Sequence, residues 1–442
     1  MYVIICSTKT QGKWPKVLDI LKRKYQAKWP SGVRTVLYKN ELQDVVEETR
    51  KLRPSYCCFV VHYSECTKTF VKDVHSFTKN IDPSNPYTDT LWGIMTGQSE
   101  DDVIYAIQQE ALVIRRVLTS CPVRLENFQS GLNFSEMEPG VALRKRCADT
   151  EVCQESCPLD ATAAIVEEIS TRRNIELEEG VDMVITSGHA TEQDWNIGYG
   201  FKSGKLVPLE GKLHGRTVNG DLLSVEPNGK PKIYSAAGNC LMGHITGKNC
   251  MALAWMHSIG IVQMTGYLEP TWFGYAGWGV HKYFINNPGN MTFAEAFFAN
   301  QQSLLSNLQA DASNRGLIFD QDCLAFYGDP AYSATLYRNP SLDDFTINLT
   351  RLDPEAESPD WSVWVIKVVT HRPGQFDCPC ADDKATSYGR PPVYVFPCTM
   401  KAVKLIQGPA ILNCRFISLP LTGKYETGQE YKATFSVQNW EK

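Results

Sequence analysis

Two residues with the makings of a thiol nucleophile and its base stand 51 positions apart, each behind an apolar run that ends in glycine. His189 follows "DMVITSG" and Cys240 follows "IYSAAGN". A neutral thiol attacks carbonyls poorly at neutral pH, and an imidazole that takes its proton turns it into a nucleophile able to form an acyl-enzyme. Glycines beside both residues let backbone and substrate come close, and the Cys240 N–H is placed to donate to an oxyanion. In isolation a cysteine and a histidine more often read as a buried thiol and a satisfied core imidazole. What changes the reading here is that both follow strands, and sites on parallel sheets gather at the carboxyl ends of strands.

The elements that must position the pair are legible around them. The N-terminal third alternates apolar runs ("YVIICST", "RTVLYKN", "YCCFVVHY", "DTLWGIMTG") with amphipathic stretches, the last a helix over "EDDVIYAIQQEALVIRRVL". That alternation predicts βαβ units and a largely parallel sheet flanked by helices. From Cys121 to Pro158 no period is evident; "LDATAAIVEEISTRRN" then reads as a helix and "VDMVITS" as a buried strand. Turn pairs Ser203-Gly204, Asn219-Gly220 and Asn228-Gly229 predict hairpins inserted between the His189 and Cys240 strands. A helix over 249–258 stopped near Gly260, a strand "IVQMTGY" and helices over 292–314 follow. Beyond "FYGDPAYSATLY" short runs such as "WSVWVIKVV" and "EYKATFSVQNW" predict a β-sandwich. The expected division is an N-terminal α/β subdomain over 1–120, a second α/β subdomain with the site over 121–345, and the sandwich over 346–442.

Composition narrows the partners. A net charge of −5, with 43% hydrophobic and 21% charged residues, gives no electrostatic reason to bind nucleic acid or an anionic membrane. The expected partner is a protein or peptide substrate. The opening "MYVIICSTKTQGKW" lacks a secretory pattern, and the fifteen cysteines form no compact framework, so reduced thiols and a cytoplasmic setting are expected.

A histidine followed about 50 residues later by a cysteine is the order found in caspases, although their Q-A-C-[RQG]-G is replaced by "AGNCLMG". The chain resembles more closely the gingipain-like cysteine peptidases of the caspase-like clan. "NPYTDTLWGIMTGQSEDDVIYAI", "ITSGHAT", "KIYSAAGNCLMGHI", "MTGYLEPTW" and "FYGDPAYSATL" are similar to that family's blocks in the same order, over roughly residues 55–340. The resemblance implies a caspase/gingipain-like sheet with a C-terminal immunoglobulin-like β-sandwich, limited endoproteolysis, and no cofactor. It implies His189 as base, Cys240 as nucleophile, and Trp272 as a wall of the pocket for the residue before the scissile bond, with Ser187 and Gly238 beside it. The oxyanion donors would be the Cys240 and Ala190 amides. The family usually has glycine after the histidine; Ala190 keeps the N–H, but a left-handed φ there would strain it. Asp149 and Asp160 lie where Arg-cleaving relatives place a pocket acid, implying a basic residue before the scissile bond.

Other groups compete for roles. Glu126, Glu136, Glu192 and Asp194 are the carboxylates that could orient His189, and His244 is the base only if the dyad is otherwise assigned. Cys378 and Cys380 in "DCPCADD", Cys398 with Cys414, and Cys147 with Cys153 and Cys157 lack the paired C-x2-C spacing of zinc sites, so no metal is expected. The rival functions are an inactive scaffold that binds a partner peptide, and a Cys/His amidase or acyl transferase.

Overall fold

Runs of aliphatic residues too apolar to face water on either side become the central strands of one large sheet, seen in a computed structural model that describes residues 1–29, 32–171, 180–227, 229–352, 361–376 and 389–438. Its first strands are β1 (Tyr2–Ser7), β2 (Val33–Tyr38), β3 (Tyr56–Val60), β4 (Leu91–Met95), β5 (Arg116–Ser120) and β6 (Ser130–Phe134). The remainder are β7 (Val141–Lys145), β8 (Cys153–Ser156), β9 (Met183–Thr186), β10 (Lys232–Ala236), β11 (Ile261–Tyr267) and β12 (Leu324–Gly328). They lie in the order β2-β1-β3-β4-β12-β11-β10-β9-β5-β6-β7-β8.

Ten of these strands form two parallel halves set head to tail, and β7 and β8 add an antiparallel edge. β2, β1, β3, β4 and β12 run one way, β11, β10, β9, β5 and β6 the other, and the halves meet where β11 pairs antiparallel with β12. Strand ends of the two halves therefore face opposite edges. β5 sits in the second half although it precedes residue 120, and β12 sits in the first although it precedes residue 345 by little.

β9 and β10 are buried along their whole length, as strands covered by helices on both faces must be. Each fully buried Val, Ile or Met in them contributes roughly 1.5–3 kcal/mol of transfer free energy. The helix Met251–Ile259 stops where Gly260 takes φ 72°, and β11 starts at the next residue, as its sequence predicts. Between His189 and β10 the chain makes a five-stranded antiparallel meander. Its central hairpin turns at Glu210 and Gly211, with φ 50° and 77°, a two-residue turn that the Ser203-Gly204 and Asn228-Gly229 pairs did not locate. Gly204 instead marks a close approach, since a Cβ there would lie 2.0 Å from Thr162 Oγ1.

Two local expectations are corrected. The helix begun by the Ser99 cap ends at Gln108, and "ALVIRRVL" yields Leu112–Ile114 and β5, because Val, Ile and Leu here fill a sheet interior rather than a helix stripe. The stretch without period, Cys121 to Pro158, supplies β6, β7 and β8.

The C-terminal region is antiparallel throughout. Phe345–Arg351, Trp361–Thr370, Glu430–Gln438 and Ala402–Gln407 form one sheet, and Val393–Val395, Phe416–Ser418 and Ile411–Leu412 a second. Trp364, Ile366, Phe435 and Val437 from the first share a core with Ile417 and Leu419 from the strand and flank of the second. Trp361–Thr370 alternates buried and half-buried residues, the period-2 pattern of a strand with one packed face. The Arg53 guanidinium donates to Met400 O and Lys401 O at 2.9 and 2.8 Å, joining this region to the start of β3. No helix among the described residues is long and apolar enough to cross a membrane.

Candidate active site at two adjacent strand ends

β9 and β10 pair in parallel register, Met183 with Ile233 through Thr186 with Ala236. His189 is the third residue past the end of that register and Cys240 the fourth, on strands about 4.8 Å apart. The two loops are tied by one side chain. Buried Asn239 accepts from Thr186 Oγ1 at 2.5 Å and donates to Gly188 O at 3.0 Å. Tyr234 OH, 2.8 Å from Thr186 Oγ1, completes the chain of hydroxyls, and its ring stacks on Trp255.

Cys240 is half-buried, and its thiol points to Thr271 O at 3.8 Å, a weak contact that leaves the sulfur available. The loop behind it is held to β11 by bonds from Leu241 N to Glu269 O at 3.4 Å and Gly243 N to Tyr267 O at 2.8 Å. Leu241 adopts φ 56°, a left-handed conformation that is strained for a residue with a Cβ. A Cβ at Gly243 would lie 2.2 Å from Gly266 O, so only glycine allows that approach.

His189 is exposed, its ring stacked on Tyr199 with centroids 4.7 Å apart. Among the described hydrogen bonds none joins the imidazole to the Cys240 thiol. Its carbonyl accepts from Asn196 N at 2.9 Å, which makes His189 and Asn196 the hydrogen-bonded pair of their hairpin. The adjacent Ala190–Trp195 pair is then the non-bonded one, and the Ala190 N–H points off the ladder. The left-handed residue of this loop is Gly188, φ 92°, so alanine at 190 carries no backbone strain.

Ser187 and Gly238 come together at the same edge: a Cβ on Gly238 would lie 3.4 Å from Ser187 Cβ and 3.2 Å from Trp278 Nε1. Trp272 stands 61% exposed beside Thr271, with its ring against Phe273 and Phe319. Trp278, on the helix Tyr275–Phe284, is a further aromatic neighbour at this edge. Of the orienting carboxylates, Glu136 is the one bonded to Ser187, next to the His189 loop. Burial pushes its carboxyl above the ordinary glutamate range, against the hydrogen bond it accepts from Ser187 Oγ. Its carbonyl receives Tyr199 N and Gly200 N at 2.6 and 3.0 Å, so one residue braces the His189 loop at Ser187 and at Tyr199.

The other acids have other partners or lie at the other edge. Glu126 precedes β6 and, with its carbonyl on the Lys145 ammonium, lies at the opposite edge. Asp194 accepts from Thr191 and Lys205, each at 2.8 Å. Glu192 acts electrostatically on His244, whose imidazole is lowered by burial. Asp149 follows β7, which runs antiparallel to β6 and so delivers it, exposed, to the edge away from Cys240; its assignment to the pocket is not supported. Asp160 is also corrected: Thr162, Gly204 and Val218 donate to its carboxylate, tethering a helix to the meander. Burial raises its carboxyl, but those bonds outweigh it and hold it below the ordinary range. Cys147 and Cys153 are exposed singly, Cys378 and Cys380 lie outside the described residues, and no group of three His, Cys, Asp or Glu among the described residues is placed to hold a metal.

Asn239 escaped the sequence reading, although an asparagine inside an otherwise small and apolar strand end was a usable sign. Asn239→Ala is expected to lower stability by about 1–3 kcal/mol, since it removes the acceptor of the Thr186 hydroxyl and the donor to Gly188 O. Urea denaturation checks the first effect; reaction of Cys240 with a thiol-directed peptide probe, expected to fall with it, checks whether the side chain sets the loops.

The strand order, with two parallel halves flanked by helices and followed by antiparallel sheets, defines an α/β protein whose candidate site lies at carboxyl strand ends. No family model and no curated protein matches the sequence. Among solved structures the chain is similar to the Arg-specific cysteine proteinase gingipain R (RgpB), with TM-score 0.49 and 12% identity over 95% of this chain and 92% of that one. It is also similar to the complex of Porphyromonas gingivalis RgpB pro- and mature domains, with TM-score 0.45 and 11% identity over 96% and 94% of the two chains.

Proposed function

We propose that the chain is a cysteine endopeptidase acting by limited cleavage of protein substrates. Cys240 Sγ attacks the scissile carbonyl carbon while His189 takes the thiol proton; the oxyanion that forms receives the Cys240 and Ala190 amides. As the tetrahedral species collapses, the C–N bond breaks and His189 returns the proton to the leaving amine. Water, with its proton taken by the same imidazole, then hydrolyses the thioester and restores the thiol. The observation that carries this reading is the Asn239 bridge, which holds the histidine and cysteine loops together on neighbouring strands. The imidazole must turn from Tyr199 toward the thiol, a tightening of the kind that substrate-bound sites undergo.

With Asp149 exposed at the far edge and Asp160 bonded to Thr162, Gly204 and Val218, neither supports a basic residue before the scissile bond; in this reading the walls beside Cys240 are the aromatic Trp272 and Trp278. A second reading, a binding scaffold, is favoured by the exposed stacking of His189 on Tyr199. A peptide-library cleavage profile, run beside labelling by a peptidyl thiol electrophile, separates the two. The endopeptidase reading expects defined cuts and labelling confined to Cys240; labelling without any peptide cleavage would transfer the site to an amidase or acyl transferase, and neither result would leave the scaffold.

A further inference from the structure

The Tyr199 ring is 54% exposed, and its one ring partner among the described residues is His189, with centroids 4.7 Å apart and planes 23° from parallel. The backbone that carries it is braced. Tyr199 N and Gly200 N both donate to Glu136 O, at 2.6 and 3.0 Å. Gly198, at φ 87°, is packed so closely that a Cβ there would lie 2.9 Å from the Phe201 ring, and a Cβ at Gly188 would stand 4.0 Å from that of Tyr199. A phenol ring rooted in this way stays where it is when the imidazole turns toward Cys240, and the turn uncovers one of its faces.

Where that face meets a substrate follows from the path of the proton, given the peptidase reading on which this step rests. His189 hands its proton to the amine released as the C–N bond breaks, so the leaving nitrogen lies on the imidazole side of the thiol. The ring stacked on that imidazole therefore flanks the residue that follows the scissile bond. Trp272 belongs instead to the cysteine's surroundings, beside the Thr271 carbonyl that the thiol faces. A side chain entering next to the leaving nitrogen and an imidazole turning to the thiol exchange places on one aromatic face. An aromatic pair of this kind is worth roughly two- to twelvefold in an equilibrium constant, which glycine or aspartate at the same position forgoes. We infer that Tyr199 walls the subsite for the first residue after the scissile bond and selects an aromatic or large apolar side chain there. By taking the ring face, that side chain favours the turn of His189 toward Cys240.

The test uses the full chain and peptides with one common sequence before the cut, chosen from the cleavage profile, and Phe, Leu, Gly or Asp directly after it. All pass through the same thioester, so differences in kcat/KM arise at or before acylation, while the leaving residue is still attached. In the parent, Phe is expected to exceed Gly by about tenfold, with Leu between them and Asp lowest. Tyr199→Ala should bring the Phe-to-Gly ratio to within about twofold, and Tyr199→Phe, which keeps the ring face, should retain it. If Tyr199 only held the resting imidazole, its loss would move all peptides by one factor and leave every ratio alone. A parallel series varied before the cut should keep its ranking in Tyr199→Ala. A Phe-to-Gly ratio near one in the parent, an unchanged ratio in Tyr199→Ala, its loss in Tyr199→Phe, or a change confined to the residue before the cut would overturn the inference while the peptidase reading stands. Absence of any cleavage by the parent would overturn that reading, and the subsite with it.

Discussion

Cys240→Ala is expected to leave the fold standing and to remove peptide cleavage altogether. The thiol is half-buried and its one described bond is a 3.8 Å sulfur contact to Thr271 O, so the stability change should stay within about 0.5 kcal/mol. Chemistry has no such margin. Loss of the nucleophile in a covalent mechanism typically costs on the order of 10⁶-fold in kcat, because no other group at the site can form the acyl-enzyme. Among the described cysteines Cys250 is also near in sequence, but it is fully buried and burial raises its thiol. The check pairs urea denaturation, with an unchanged midpoint, with product analysis by mass spectrometry. Turnover within a hundredfold of the parent would move the reaction away from Cys240.

His189→Ala should reduce kcat/KM by roughly 10²–10⁴-fold, the usual contribution of a general base, while His244→Ala stays near the parent value. His244 differs in its surroundings: half-buried, its backbone N–H bonded to Leu241 O at 2.9 Å, it interacts electrostatically with Glu192, Lys68 and Glu269. The second readout is alkylation of Cys240 by iodoacetamide at pH 6.5, followed by peptide mapping because the chain carries fourteen other cysteines. Without the imidazole this reaction should slow sharply, and the gap should narrow as rising hydroxide takes over the role of base. Equal alkylation in both histidine variants would show that the two strand ends do not work as a pair.

The strands that end ahead of His189 and Cys240 were legible because each is a local pattern: an aliphatic run, then glycine, then a reactive residue. β9, β10 and β11, and the helix stop at Gly260, follow from the same kind of short-range information. Asp149 shows where such information ends. Which edge it reaches depends on β7 turning antiparallel against β6, a choice of neighbour that no window of sequence around Asp149 contains. Asp160 failed for a different reason, because its partners Gly204 and Val218 come from the meander more than forty residues away. Asn239 and Glu136 likewise act through residues about fifty positions distant, so their types were visible and their roles were not. The β-branched run after Gln108 was mistaken for helix because its apolar spacing suits either state until a sheet claims it.

The seam between the two half-sheets has a consequence for how the molecule is made. β12 is the bridge between β4 and β11, yet it is among the last elements of the sheet to leave the ribosome. At synthesis rates of roughly 5–20 residues per second, β4 waits on the order of ten to fifty seconds for that neighbour. Throughout the interval it is an unpaired edge, and β11 becomes a second one as it emerges. Contacts of such long sequence separation form slowly, so joining the halves is the natural late step of folding. A nascent chain arrested just before Leu324 would hold the histidine and cysteine loops already formed on their own half, with two open edges that favour association between chains.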